Sequence, residues 1–118
     1  MKKYCMVNVI KQEYLVAYIE AHLNPWEELL TCLKEAGTHE EWIYMYKNLA
    51  ILFIECEDMD MYVEKFAKSE TGKKWLKKMS EYLEFTEFAD DSGQAKNSPV
   101  SLRKVFDLNE QLRGHIMD

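Results

Sequence analysis

Apolar residues recur along this chain with two different periods, and the changes between them mark the predicted elements. Residues 3–9 alternate between two sides, which is the period of a β-strand. Residues 12–36 carry leucine and isoleucine at helical spacing, which predicts one helix that closes at Gly37, a preferred C-terminal capping residue. Residues 42–46 and 49–56 are β-rich runs separated by Lys47 and Asn48, so a hairpin is predicted there.

The second half of the chain predicts two shorter helices, a polar loop and a final strand. Asp58 is placed to cap a helix that runs through Ala67, and Thr71 is placed to cap the next one. An acidic loop follows over residues 84–98, and "KVFDL" at 104–108 is predicted as the last strand. The order β-α-β-β-α-β, with its second helical region in two pieces, predicts a ferredoxin-like α+β fold in a single domain, residues 1–118.

One face of the predicted sheet should be covered by helices, while the other face is unusually apolar. We assign to this second face Tyr4 and Met6 of the first strand and, from the second strand, either Trp42, Tyr44 and Tyr46 or Ile43 and Met45. A sheet face in contact with water would show regular polar alternation, which these strands lack. The second face is therefore expected to be covered by a partner subunit or to surround a ligand cavity.

Composition and charge exclude several classes of function. The net charge of −6 argues against a nucleic-acid partner, which would require a basic surface. No run of about 18 apolar residues indicates a membrane span, and the apolar stretch at the N-terminus ends too early for a secretion signal. The three cysteines are widely separated, which predicts neither a disulfide framework nor a zinc site and favours the cytoplasm.

Candidate chemistry begins with Tyr18 and His22, which lie one turn apart on the same helix face, just before the sequence "NPW". An imidazole with a pKa near 6.5 can give or take a proton at cellular pH. Taken alone, a histidine in this position is more often structural, and Tyr18 and Trp75 would both be read as core residues. The stripe formed at four-residue steps by Tyr14, Tyr18, His22 and Trp26 is also compatible with a dimer surface.

Several blocks in order along the chain resemble the L-rhamnose mutarotase family. They are "Y...H.NPWEEL", "G.H...IY", "LF...E", "KKWLKKM" and "NSPVSLRKVFDL", and they extend from the first strand to about Leu108. The resemblance implies a ferredoxin-like domain that dimerises through its sheets, a dimeric α/β-barrel, and a cofactor-independent exchange of the α and β anomers of a 6-deoxyhexopyranose. It places His22 at the catalytic acid position, Tyr18 at a position that contacts the sugar, and Trp75 at a binding tryptophan.

The chain departs from this family pattern in three places. Where the family has an asparagine and a sugar-contacting tyrosine, this chain has Glu40 and Glu41, followed by Trp42. Either Glu41 enters the site as a carboxylate, or a shift of one residue brings Trp42 there, and the two options exclude each other. Leu76 stands where many members have a second tryptophan, and the loop 84–96 is longer and more acidic than expected.

The sequence therefore predicts a homodimeric mutarotase that acts on L-rhamnose or a related monosaccharide such as L-fucose. We expect His22 to be catalytic, and the substrate to be bound by Tyr18, Glu41, Trp42, Trp75 and Leu76. No His, Cys and carboxylate set has the spacing of metal ligands, so no metal is expected. Two alternatives stay open at this point: another dimeric α/β-barrel enzyme of the small monooxygenase type, and a non-catalytic sugar-binding module.

Overall fold

The computed structural model describes residues 1–117, with side chains through residue 114, and it has a four-stranded antiparallel sheet. The strands are β1 (Lys2–Ile10), β2 (Thr38–Tyr46), β3 (Leu49–Cys56) and β4 (Leu83–Phe85). They lie in the order β2-β3-β1-β4, with β1 in the interior next to β3. Both neighbours of β1 run antiparallel to it. The sequence of elements is the predicted β-α-β-β-α-β order.

Helices cover one face of this sheet, which we call the inner face. They are α1 (Leu15–Leu23), α2 (Glu27–Glu35), α3 (Met59–Tyr62) and α4 (Glu70–Ser80), with a 3-10 turn at Gln12–Tyr14 and a π-helical turn at Val63–Ala67. A further helix, α5 (Leu108–Met117), ends the described chain, and its side chains are exposed through residue 114. Side chains of α1 to α4 form one buried core with β1 and β3. No helix in residues 1–117 has the length and apolarity that crossing a membrane requires.

The prediction of one helix over residues 12–36 is wrong, because the chain folds into two helices there. Between α1 and α2, Asn24 leaves the helical region at φ −129° and ψ 65°, and Trp26 is extended at φ −63° and ψ 138°. Pro25 lacks the N–H that a continuous helix would need and disfavours helical geometry at Asn24. The predicted turn at Gly37 is present, with a φ of +86° that favours glycine.

The hairpin between β2 and β3 is confirmed, with Lys47 in the left-handed region at φ 54°. Asp58 caps α3 as predicted, since its Oδ1 accepts the Met61 N–H at 2.7 Å. The Thr71 cap is wrong: Ser69 caps α4, and its Oγ accepts the N–H of Gly72 at 3.0 Å. Ser69 lies two positions before Thr71 and is also of a residue type that caps helices, so the helix begins earlier than predicted.

The prediction of a last strand at residues 104–108 is also wrong. The fourth strand is β4, which overlaps the start of the segment that was predicted as loop, and residues 101–107 have no regular structure. The chain does return to β1 slightly earlier, where the Leu102 N–H donates to the Cys5 carbonyl at 2.7 Å. Beyond this point Val105 and Phe106 are 81% and 66% exposed, so their apolar side chains lack the buried face that would hold a strand.

The assignment of Tyr4 and Met6 to the uncovered face is wrong as well. Met6 pairs with Leu52, and both are buried beneath the helices. The outer face instead carries Val7, Val9, Trp42, Tyr44, Tyr46, Ile51, Phe53 and Phe85. The predicted alternation of side chains is present. Both sides of these strands are apolar, however, so the pattern of polar and apolar residues does not indicate which side the helices cover.

Candidate active site

A cavity of about 410 Å³ lies between the inner face of the sheet and the helices. This volume is within the range of small-molecule sites, about 300–1,000 Å³. All six residues expected from the sequence to form the site border it: Tyr18, His22, Glu41, Trp42, Trp75 and Leu76. Most of the remaining wall is aliphatic or aromatic, with further polar groups from Asn8, Tyr62 and Thr86. Such a cavity suits a small ligand that has both hydroxyl groups and an apolar surface.

His22 is held on the last turn of α1 with one ring nitrogen already engaged. Its Nδ1 lies 2.8 Å from the Tyr18 carbonyl oxygen, which can only accept, so Nδ1 carries a proton and donates it. The imidazole also packs against Tyr18, at 4.3 Å between ring centroids, and against the edge of Trp75 at 5.2 Å. In the neutral ring, Nε2 is therefore the nitrogen with a free lone pair.

The electrostatic environment keeps His22 neutral. Burial is the main cause that lowers the pKa of its imidazole below the usual 6.5. The hydrogen bond to Tyr18 raises this pKa, and the positive charge of Lys78 lowers it. At neutral pH the His22 imidazole is consequently neutral, with its one proton on Nδ1, and it can accept a second proton at Nε2.

Tyr18 presents its hydroxyl group to the cavity from the middle of α1. The side chain is 1% exposed, and burial raises the pKa of its phenol to about 12. The Asn8 Nδ2 donates to the Tyr18 Oη at 3.1 Å, which leaves the phenolic proton available to a ligand. Asn8 Oδ1 is buried and has no hydrogen-bond partner among the described residues. It is therefore a second polar atom at this place that can bind a ligand.

Glu41 lies on the inner face of β2, opposite Ile54 of β3. Its Oε1 accepts a hydrogen bond from the Tyr62 hydroxyl at 2.9 Å. Burial raises the pKa of this carboxyl to about 7, although the hydrogen bond from Tyr62 acts in the opposite direction. Burial and the neighbouring Glu41 raise the pKa of Tyr62 well above 10, so its phenol stays protonated.

The structure separates the two residues that the sequence left as alternatives. The Glu41 side chain is on the inner face, while the Trp42 indole stacks on Phe53 of the outer face at 5.3 Å and 12°. Trp42 also borders the cavity, but the indole packs away from the helices. This is the arrangement that the alternation of a strand requires for two consecutive residues.

Trp75 and Leu76 form part of the apolar wall from α4, and both are buried. Trp75 packs edge-on against Trp26 at 5.2 Å, and the Lys78 Nζ lies 5.3 Å from the Trp26 ring centroid. The proline-containing break thus brings Trp26 back onto α4, next to His22. This contact explains in structural terms why the apolar pattern of the first helical region is interrupted where it is.

Sequence reasoning missed Asn8, Tyr62 and the contribution of the acidic loop. Asn8 carried a usable signal, because it is the polar residue between Met6 and Ile10 on the same side of β1. Tyr62 gave no such signal, since it lies among apolar residues of a short helix. The loop 84–96 contributes Thr86 and Phe88 to the wall of the cavity, with Phe88 5.9 Å from Tyr62.

Within the described part of the chain, no group of three or more His, Cys, Asp or Glu side chains is arranged to hold a metal ion. The polar groups of the cavity are two phenols, one carboxyl, one imidazole, one amide and one hydroxyl. These groups can bind sugar hydroxyls and move protons.

Comparison with known proteins agrees with this reading. The L-rhamnose mutarotase family matches residues 3–108. The crystal structure of an L-rhamnose mutarotase from Formosa agariphila is similar, with a TM-score of 0.67 and 24% identity over 91% of this chain and 98% of that chain. That likeness confirms the ferredoxin-like fold. No curated protein matches the chain.

The family match covers most of the chain and both walls of the cavity. It supports an isomerase that exchanges sugar anomers, and it supports neither the monooxygenase nor the non-catalytic alternative. The chain belongs to the L-rhamnose mutarotase family.

Proposed function

We propose that this mutarotase opens and recloses the ring of L-rhamnose, or of a related 6-deoxyhexopyranose such as L-fucose, in the cavity beside His22. The observation that carries the proposal is the hydrogen bond from His22 Nδ1 to the Tyr18 carbonyl at 2.8 Å. It fixes the imidazole so that Nε2 is the one ring nitrogen free to exchange a proton. The remaining groups of the cavity then serve to hold the sugar.

The reaction requires two proton transfers that reverse between opening and closing. One group removes the proton of the anomeric hydroxyl while another protonates the ring oxygen, and the open aldehyde recloses on either face. His22 is neutral at neutral pH because burial lowers its pKa. It therefore takes the anomeric proton through Nε2 during opening and returns it during closure, as the acid of the second step.

The neighbouring side chains fit the two surfaces of a deoxy sugar. Tyr18 can donate its free phenolic proton to a sugar oxygen, and Asn8 offers an unpaired amide oxygen at the same place. Trp75 and Leu76 provide an apolar wall for the C–H surface and the methyl group. Trp42 forms only part of the cavity rim and is not proposed to bind the sugar with its ring, since its indole lies on the outer face.

Anomer-exchange NMR across a panel of deoxy sugars tests this proposal directly. The protein should transfer saturation between the two anomeric protons of at least one 6-deoxyhexose faster than buffer alone. L-mannose and L-galactose, the 6-hydroxy counterparts of L-rhamnose and L-fucose, serve as matched controls, and the apolar wall predicts slower exchange for them. Failure to accelerate the exchange of any sugar in the panel would refute the proposed function.

We also propose that the protein is a homodimer joined through the outer face of the sheet. Tyr44 is 63% exposed, Tyr46 is 56% exposed and Phe85 is 47% exposed, so a large aromatic surface is unburied in one chain. Light scattering at micromolar concentration should give about twice the chain mass. Tyr44→Lys should shift the mass toward that of one chain, and Glu28→Lys on the exposed surface of α2 is the matched control. A monomeric, folded wild type would contradict the proposal.

Three further expectations accompany this function. The domain is proposed to comprise residues 1–118 as one unit, supported by a family match that spans residues 3–108. The reaction is proposed to need no cofactor or metal, so a chelator should leave the exchange rate unchanged. A cytoplasmic location is supported by free thiols at Cys5, Cys32 and Cys56 and can be checked by cell fractionation.

A further inference from the structure

We propose that Glu41 is the second proton-transfer group of the anomer exchange and that it works together with His22. This inference rests on the proposed function, because it assigns the partner that a ring-opening reaction requires. It concerns a position where the chain departs from the pattern that the sequence resembles, since a carboxyl stands at 41. The structure supplies three independent arguments for the assignment.

The position of Glu41 favours this role. Glu41 is on the inner face of β2, borders the same cavity as His22, and is held by the Tyr62 hydroxyl on Oε1. Its other oxygen, Oε2, has no hydrogen-bond partner among the described residues, and the carboxyl makes no ion pair with any of them. Burying a carboxyl that has no cation and only one neutral hydrogen-bond donor costs free energy, and an apolar side chain would pack here without that cost.

Few side chains at the cavity can change protonation near neutral pH. The titratable side chains that border the cavity are Tyr18, His22, Glu41 and Tyr62. Both phenols keep their protons at neutral pH, because burial raises the pKa of each. Two groups remain that can change protonation near neutrality, one imidazole and one carboxyl.

The charged and titratable groups around Glu41 agree with this division. The hydroxyl of Tyr62 on α3 donates to Glu41. The negative charge of Glu41 contributes to raising the pKa of Tyr18 on α1 and of Cys56 on β3, and burial is the main cause for both. Lys78 affects His22. The two groups are therefore shifted in opposite directions, which is the usual arrangement of an acid and a base in one site.

Glu41 and His22 together account for every proton that moves in the reaction. In ring opening, the Glu41 carboxyl gives its proton to the ring oxygen as the C1–O5 bond breaks, and the electron pair of that bond goes to O5. His22 Nε2 takes the proton of the anomeric hydroxyl, and the carbonyl forms. After rotation about C1–C2, the hydroxyl on C5 attacks the other face of C1. The Glu41 carboxylate takes back its proton, and His22 returns its own to O1.

Glu41→Gln tests the assignment, and Glu40→Gln is the matched control at an exposed neighbouring carboxylate. The proposal predicts that Glu41→Gln lowers the exchange rate at saturating sugar by about 100-fold, while sugar affinity changes by less than about threefold. It also predicts a bell-shaped pH profile for the wild type, with an acidic limb below pH 6.5 from His22 and a basic limb near pH 7 from Glu41. The basic limb should be lost in Glu41→Gln and the acidic limb in His22→Asn. Glu40→Gln should behave as wild type.

Tyr62→Phe gives a second readout that keeps the carboxyl in place. Because the hydrogen bond from Tyr62 lowers the pKa of Glu41, its removal should move the basic limb to higher pH while exchange persists. An active Tyr62→Phe variant with an unmoved basic limb would overturn the proposal. So would a Glu41→Gln variant that keeps the wild-type rate, or one that loses only affinity.

The outcomes also separate this inference from the proposed function. If His22→Asn abolishes exchange and Glu41→Gln does not, the assignment of Glu41 fails and the proposed function stands. If the wild type accelerates no sugar, the proposed function fails, and this inference fails with it.

Discussion

Replacing His22 by asparagine removes Nε2, the nitrogen that we propose exchanges the proton, while it keeps the contact that fixes the side chain. The amide nitrogen of asparagine occupies nearly the position of Nδ1 and can donate to the Tyr18 carbonyl, which now accepts at 2.8 Å. The end of α1 should therefore keep its geometry. What disappears is Nε2 and the ring contacts to Tyr18 and Trp75, at 4.3 Å and 5.2 Å.

The two losses have different magnitudes and different readouts. General acid–base catalysis contributes about 10² to 10⁴ in rate, so exchange should fall by about 100-fold or more, which is roughly 2.7 kcal/mol in the barrier. The lost ring contacts should cost on the order of 1 kcal/mol of unfolding free energy. The enzyme should therefore remain folded, and the effect on rate should far exceed the effect on stability.

The assay is anomer-exchange NMR with an accepted sugar, together with thermal unfolding of the same samples. In the wild type, exchange should rise with pH through a group whose pKa is below 6.5, because His22 must be neutral to accept a proton. His22→Asn should lack this rise. His39→Asn is the matched control, since His39 lies outside the cavity and its side chain is 58% exposed. Wild-type exchange in His22→Asn would mean that His22 transfers no proton in the reaction.

Three other predictions follow from the same site and from the helix behind it. Tyr18→Phe should weaken sugar binding or slow exchange by about tenfold, because it removes one buried hydroxyl and leaves the ring; an unchanged rate and affinity would exclude its contact with the sugar. Glu41→Gln should be more stable than wild type at pH 8 by up to about 3 kcal/mol and similar to it below pH 4.5, measured by denaturant unfolding. The sign follows because a raised carboxyl pKa gives stability that is present below 4.5 and is lost as pH rises through about 7; equal stability at pH 8 would contradict it. Gly72→Ala should lose on the order of 3 kcal/mol of unfolding free energy or fail to fold, because the added Cβ would collide with the Phe66 carbonyl oxygen. The control Gly114→Ala adds a Cβ in open space and should be neutral or slightly stabilising in the same thermal melts.

The sequence predicted elements well where a local signal determines them. The β2–β3 hairpin follows from two β-rich runs around Lys47 and Asn48, and the Asp58 cap follows from its side chain. The fourth strand could not be found this way. Leu83–Phe85 makes only two residue pairs with β1, and three residues carry too little pattern to be distinguished from loop.

The candidate site was predictable in its residues but not in its geometry. Tyr18 and His22 were identified by helical spacing together with the family resemblance, and the structure has both at the cavity. Whether Glu41 or Trp42 turns inward depends on strand register, which single-sequence patterns do not fix when both faces are apolar. The pairing of Glu41 with Tyr62 joins residues that are 21 positions apart, and no periodicity reports such a contact.

Strand β2 lies at the edge of the sheet, with β3 as its one neighbour among the described strands. Its alternate residues belong to the cavity on one side and to the aromatic outer face on the other. An edge strand is held by half the backbone hydrogen bonds of an interior one, so its amides open more readily than those of β1. In the homodimer proposed above, dilution that separates the two chains would loosen the wall that carries Glu41, so turnover per chain would fall as the enzyme concentration falls. The amount of enzyme in the cell would thereby set its efficiency as well as its capacity.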